Sequence, residues 1–203
     1  MLDRALLKLT KPAVDGLARQ ALALGWHADQ VTLASLGLGC LASAFIIFGH
    51  AGLALAPLLL SRLADGMDGA MARMAGKQTD RGAFLDISLD FVFYACVPLG
   101  FAVGNPASNA LPAAMMLAAF VTTGTSFLAY ATLAAKRGET STAYPSKGIY
   151  YLGGLTEGSE TIGVFCLMCL WPGWFGALAY AYAALCALTT ATRIKAGWDA
   201  FGR

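Results

Sequence analysis

Apolar residues fall in six long runs along the chain, separated by short stretches rich in glycine, proline and charge. The runs cover residues 31–49, 51–74, 84–103, 107–134, 149–170 and 173–194. Each is close to the roughly 20 residues that a helix needs to cross the hydrocarbon core of a bilayer. The breaks are "GHAG", "GKQTDRG", "GNPASN", "KRGETSTAYPSKG" and "WPGWFG", all carrying residues that stop helices or turn the chain. Residues 1–28 follow another pattern. Leu2, Leu6, Leu9, Val14, Leu17, Ala21 and Leu24 recur at near-helical spacing, opposite Arg4, Lys8, Lys11, Asp15 and Arg19. This predicts an amphipathic helix on the membrane surface, kinked or broken at Pro12. The predicted fold is an all-α membrane protein: an amphipathic interfacial helix over 1–28, then one domain of six transmembrane helices over 29–203.

Composition agrees. Of 203 residues, 58% are hydrophobic and 13% charged, against about 25% charged in soluble domains, and the mean hydropathy is +0.62. A net charge of +2 says little alone, and no nucleic-acid partner is expected. The distribution of charge is more telling. All 14 Lys and Arg lie in the termini, in the "GKQTDRG" and "KRGETSTAYPSKG" loops, or in helix ends feeding them. The positive-inside rule then puts both termini and these loops in the cytoplasm. Trp26 and Trp198 fit one interface, Trp171 and Trp174 the other. All five cysteines fall in apolar runs, so Cys166-x2-Cys169 is a packing pair without the further ligands of a zinc site.

Against this background "DGMDGAMAR" (65–73) and "FLDISLD" (84–90) stand out. Asp65 and Asp68 are three apart, Asp86 and Asp90 four apart, so each pair shares a helix face. The two helices are joined by a short loop and are expected to be antiparallel neighbours whose acidic faces meet near the cytoplasmic surface. Converging carboxylates in a low dielectric repel one another unless cations sit among them. Oxygen ligands of this kind suit Mg²⁺ or Mn²⁺, and two such ions can clamp the attacking and leaving oxygens of a phosphoryl displacement. Gly66, Gly69, Ala70 and Ala72 leave a groove beside the acids, and Arg73 points a fixed charge at an anion within it. Buried ion pairs holding helices together, or an ion-coupled transport path, would use the same residue types.

The stretch Asp65-x2-Asp68-Gly69-x2-Ala72-Arg73-x8-Gly82-x3-Asp86-x3-Asp90 resembles the complete signature of the CDP-alcohol phosphotransferases. The six-helix layout is also similar. The resemblance implies that Asp65, Asp68, Asp86 and Asp90 ligate Mg²⁺ or Mn²⁺, two ions in all, with Asp90 also the general base for the acceptor hydroxyl. It implies a CDP site formed by Gly69, Arg73 and Gly82 together with Asp65 and Asp68. A family feature near the first span survives only as "DQVT" (29–32), and brings Thr32 toward the nucleotide. A homodimer in contact with membrane lipids is implied too. The expected donor is CDP-diacylglycerol, with CMP released. The family's other branch, CDP-choline or CDP-ethanolamine with diacylglycerol as acceptor, shares the signature. A transporter or non-catalytic scaffold of the same fold is the alternative outside enzymes. Intramembrane prenyltransferases also use aspartates and Mg²⁺, but at other spacings.

The acceptor is less legible. Glu157 and Glu160 lie about 10 and 13 residues into the fifth run, counted from Lys147. At about 1.5 Å per residue they reach the depth of the aspartates, where they can bind polyol hydroxyls or an amino-alcohol cation. Alternatively they pair with Arg62, or sit at the N-terminus of a helix that starts after Gly153-Gly154. Lys136, Arg137 and Lys147 can instead hold an acceptor phosphate, although topology already accounts for them. The glutamates favour an unphosphorylated polyol or amino alcohol. Gly154-x3-Gly158 is read as a close-packing motif.

Overall fold

The computed structural model describes residues 2–138 and 154–202. Among these residues seven α-helices follow one another: α1 (Leu2–Ala23), α2 (Ala28–Ile47), α3 (Ala51–Met74), α4 (Asp80–Gly104), α5 (Pro106–Lys136), α6 (Gly158–Leu170) and α7 (Phe175–Phe201). A 3₁₀ turn, Pro172–Trp174, leads into α7, and no strand occurs among the described residues. The expected breaks are where the helices end. Gly49 and Gly76 take positive φ (79° and 62°), which an L side chain resists, and each reverses the chain after a helix. Thr79 caps α4 by accepting a hydrogen bond from the Gly82 amide at 3.1 Å. That cap draws "DRG" into the first turn, so α4 begins at Asp80, before the apolar run at 84.

Among the described residues, four segments are long and apolar enough to cross a membrane: α2, α4, α5, and Pro172–Phe201, which holds the turn and α7. They mark a multi-pass membrane protein. Helices α3 and α6 differ from the expected second and fifth spans for separate reasons. Helix α3 has 24 residues but carries Arg62, Asp65, Asp68 and Arg73, which lower its hydropathy. Helix α6 has only 13 residues and starts at Gly158 rather than near 149. Residues 149–153 and Lys147 lie outside the described residues.

Two further expectations are corrected. Pro12 sits inside α1 without ending it. The apolar face of α1 also has a protein partner: Val14, Ala18, Ala21 and Leu22 pack with Ala64, Met67, Ala70 and Met71 of α3. Leu9, Leu17 and Leu24 remain exposed. The second correction concerns α3 and α4, which pack mainly on α2 rather than on each other. Small residues permit that approach. Ser35 donates to the Ser61 carbonyl at 2.9 Å, and Ser61 donates back to the Ser35 carbonyl at 2.8 Å. A Cβ on Gly39 would lie 2.5 Å from Phe93 Cδ2, so only glycine lets α4 come this close. In lipid such contacts replace the hydrophobic effect as the source of helix association. Leu58, Phe93, Val97, Met116, Phe165 and Phe175 fill the centre of the bundle. With α3 and α4 splayed on α2, a polar space opens between their ends.

Candidate active site

The space is lined first by acids. Carboxylate oxygens of Asp65, Asp68 and Asp86 lie within 4.8 Å of one another. Asp68 is buried, Asp65 half-buried and Asp86 exposed. The helical three-residue step brings Asp65 and Asp68 to one face of α3, and α4 supplies Asp86 across the gap. Helix α2 contributes Thr32, whose hydroxyl donates to Asp68 Oδ2 at 2.5 Å. Expected beside the nucleotide, Thr32 thus touches a carboxylate of the cluster. Three hard oxygen donors this close fit Mg²⁺ or Mn²⁺, which neutralise them and accept oxygen ligands at about 2 Å.

Asp90 stands one turn beyond Asp86 and apart from those three. Its Oδ1 accepts a hydrogen bond from Arg62 Nη1 at 2.6 Å. The same nitrogen lies 3.5 Å from Asp65 Oδ1. Arg62 Nη2 donates to Ser61 Oγ at 3.1 Å and approaches Ser35 Oγ at 3.4 Å. The guanidinium sits 3.7 Å from the centre of the Phe93 ring. The sequence pattern pairs Arg62 only with the glutamates, whereas the structure gives it to Asp90. Its signal was available: a basic residue three before Asp65 shares that residue's face.

A cavity of about 740 Å³ runs from these acids in two directions. Toward the α3–α4 turn it is lined by Gly69, Arg73, Lys77 and Gly82. A Cβ on Gly69 would lie 3.2 Å from Arg73 Nη1, so the bare glycine leaves the arginine its place along the groove. Toward α5–α7 the lining is rich in hydroxyls, with Thr123, Thr156, Thr161, Tyr182, Glu157 and Arg193. Thr161 and Tyr182 share a hydrogen bond of 2.7 Å. Arg193 Nη1 donates to the Thr123 carbonyl at 3.2 Å. Charge topology alone accounts for Arg193 in the sequence, yet it is buried in α7 and faces this cavity.

The two glutamates separate. Because α6 starts at Gly158, Glu157 is its N-cap and Glu160 lies in its first turn. Glu157 is buried in the cavity wall, and its Oε1 accepts from the Gly154 amide at 3.2 Å. Glu160 is absent from that wall, and one of its oxygens accepts from Ser159 Oγ at 3.4 Å. Arg137 is engaged elsewhere, donating to the carbonyls of Ala200 and Phe201 at the end of α7. Gly154 has a packing role: a Cβ there would lie 2.5 Å from Thr189 Cγ2.

Comparison with known proteins gives a consistent result. Residues 26–192 match the family model described as CDP-alcohol phosphatidyltransferase. The inner membrane protein YnjF of Escherichia coli (strain K12) is 48% identical over 198 residues, covering 98% of this chain and 96% of that protein. The fold is similar to phosphatidylinositol phosphate synthase (PgsA1) of Mycobacterium tuberculosis with CDP-DAG bound. There the TM-score is 0.74 at 18% identity, over 91% of this chain and 93% of that one. The same enzyme in complex with manganese and citrate gives a TM-score of 0.71 at 20% identity, over 91% and 88%.

Proposed function

The chain belongs to the CDP-alcohol phosphatidyltransferase family, and from that premise we propose that it transfers a phosphatidyl group from CDP-diacylglycerol to an alcohol in phospholipid synthesis, releasing CMP. The observation that carries this reading is the meeting of Asp65, Asp68 and Asp86 in a cavity that also holds Gly69 and Arg73. In it the three acids would hold Mg²⁺ or Mn²⁺. When bound, the metal supplies positive charge against the phosphate oxygens as the leaving group departs.

The chain's own residues do the rest. Gly69 and Gly82 leave backbone open to the cytidine diphosphate, and Arg73 pairs with its phosphate oxygens. The acceptor oxygen forms a bond to the phosphorus that carries diacylglycerol. The bond from that phosphorus to the oxygen bridging to CMP breaks, and Asp90 takes the hydroxyl proton. Asp90 can do this through Oδ2, since Arg62 engages Oδ1. Thr123, Thr161, Tyr182 and Glu157 offer hydroxyls and a carboxylate to the acceptor, which favours an unphosphorylated polyol or amino alcohol.

Helices α3 and α6 complete a six-helix membrane domain over 29–203, with α1 as an interfacial helix and both termini cytoplasmic. The protein acts as a homodimer in which each protomer has a whole site, because the signature is contiguous. The reaction is tested by giving purified protein CDP-diacylglycerol, Mn²⁺ or Mg²⁺, and a panel of alcohols. CMP should appear with at least one acceptor. Release from CDP-choline with diacylglycerol alone would move the protein to the other donor class, and silence with both donors would leave a scaffold.

A further inference from the structure

Four carboxylates crowd the facing ends of α3 and α4, and a guanidinium stands among them. We propose that Arg62 is a resident cation of this cluster: it holds Asp90 away from the metal-binding acids, so that the donor-free site takes one divalent ion, on Asp65, Asp68 and Asp86. The inference deepens the metal-dependent reading above and rests on it.

Arg62 Nη1 is 2.6 Å from Asp90 Oδ1 and 3.5 Å from Asp65 Oδ1. An ion ligated by those two carboxylates would need to sit about 2 Å from an oxygen of each. The nitrogen fills the region between these oxygens, so the ion and the guanidinium compete for it.

The arginine is also built into its place. Its side chain is only 14% exposed. The Phe93 ring lies under one face of the guanidinium, and Ser61 and Ser35 accept from its other amino nitrogen. Those serines are themselves fixed by the reciprocal bonds that each hydroxyl donates to the other's carbonyl across α2 and α3. Phe93 in turn sits where it does because Gly39 has no side chain. A planar fork held on several sides loses little freedom in forming its ion pair. Removing it would leave Asp90 beside three other acids, where like-charge repulsion favours a second cation.

Arg62 thereby becomes a positioning residue. It fixes Asp90 by one oxygen and contributes a permanent positive charge that needs no metal from solution.

The test counts ions, without substrate. Purified protein is titrated with Mn²⁺, and free ion is followed by electron paramagnetic resonance. Wild-type protein should bind one Mn²⁺ per chain. Arg62→Met should bind two, Arg62→Lys should return to one, and adding Asp90→Asn to Arg62→Met should remove the second ion. A gained ion distinguishes this role from a structural one, since a damaged fold loses sites. Two ions on the wild-type chain, or a single ion on a folded Arg62→Met variant, would overturn the inference and leave the reaction assignment intact. No Mn²⁺ at all on the wild type would overturn both the inference and the metal-dependent reading. The wild-type count is decisive even if Arg62→Met fails to fold.

Discussion

Thr32 and Asp68 are 36 positions apart, on α2 and α3, yet the threonine hydroxyl donates to the aspartate's Oδ2 at 2.5 Å. The same hydroxyl lies 3.1 Å from the Ala28 carbonyl, one turn back in its own helix. Asp68 is buried, so this bond fixes which way its carboxylate faces. In metal sites such partners orient the ligand, and losing one typically costs 10–100-fold in affinity.

Thr32→Val keeps the side-chain shape and removes that bond. Mn²⁺ affinity should fall about 10–100-fold, and CMP release should need correspondingly more metal. The fold should persist, with a cost on the order of 1–3 kcal/mol for the orphaned oxygen. A Mn²⁺ titration beside a thermal melt separates the two effects. An unchanged affinity would show that the bond does not orient a ligand.

Asp90→Asn removes a base while keeping volume and a hydrogen-bond acceptor for Arg62. Turnover should drop about 10²–10⁴-fold with CDP-diacylglycerol binding largely retained. Asp65→Asn should weaken metal and nucleotide together, because it alters the cluster itself. Steady-state kinetics combined with donor-binding measurements tell the variants apart. Near-normal turnover in Asp90→Asn would reassign the base.

Chelation offers a readout that does not depend on turnover. Three carboxylates within 4.8 Å repel one another in the bare protein. Adding Mn²⁺ should therefore raise the unfolding temperature in a concentration-dependent way, as expected for a ligand that binds only the folded state. Excess EDTA should reverse the shift and stop CMP release. Asp86→Asn should blunt both responses.

Gly39→Val tests the close packing behind the site. A Cβ at that position already lies 2.5 Å from Phe93 Cδ2 and 3.2 Å from Cε2. Overpacking of this kind costs about 1–3 kcal/mol, and moving Phe93 disturbs the ring under Arg62. Denaturation in detergent should show the loss, while Gly37→Val, at a glycine with open space around it, should be close to neutral.

The acceptor end of the cavity makes a selective prediction. Glu157→Gln should raise the acceptor KM and spare that of the CDP donor, whereas Glu160→Gln, outside the cavity wall, should change neither. Inositol, choline, serine and glycerol 3-phosphate form a suitable panel. Preference for glycerol 3-phosphate with Glu157→Gln unaffected would end the idea that the glutamate serves a neutral or cationic acceptor.

What was legible in advance was local. Apolar runs of membrane length, broken by glycine and proline, marked most of the helices, because backbone satisfaction in lipid leaves few alternatives. The spacing from Asp65 to Asp90 marked the acids, because helical periodicity alone decides which residues share a face. Where an expectation failed, a capping or loop signal overrode the apolar pattern. Thr79 started α4 earlier than its apolar run, and α6 began at Gly158, which made Glu157 a cap and left Glu160 off the cavity.

Tertiary structure decided the partners. Arg62 reaches Asp90 across 28 positions, Thr32 reaches Asp68 across 36, and Arg193 turns into the cavity from the last helix. None of these pairs has a spacing that a helix repeat can encode. They exist because Ser35, Gly39 and Ser61 let α3 and α4 settle on α2, close enough to share side chains and far enough apart to leave a cavity between them. One-dimensional periodicity fixes a residue's angle about its own helix axis. Which neighbour waits at that angle depends on how closely the helices approach, and that follows from small residues scattered through the chain acting together.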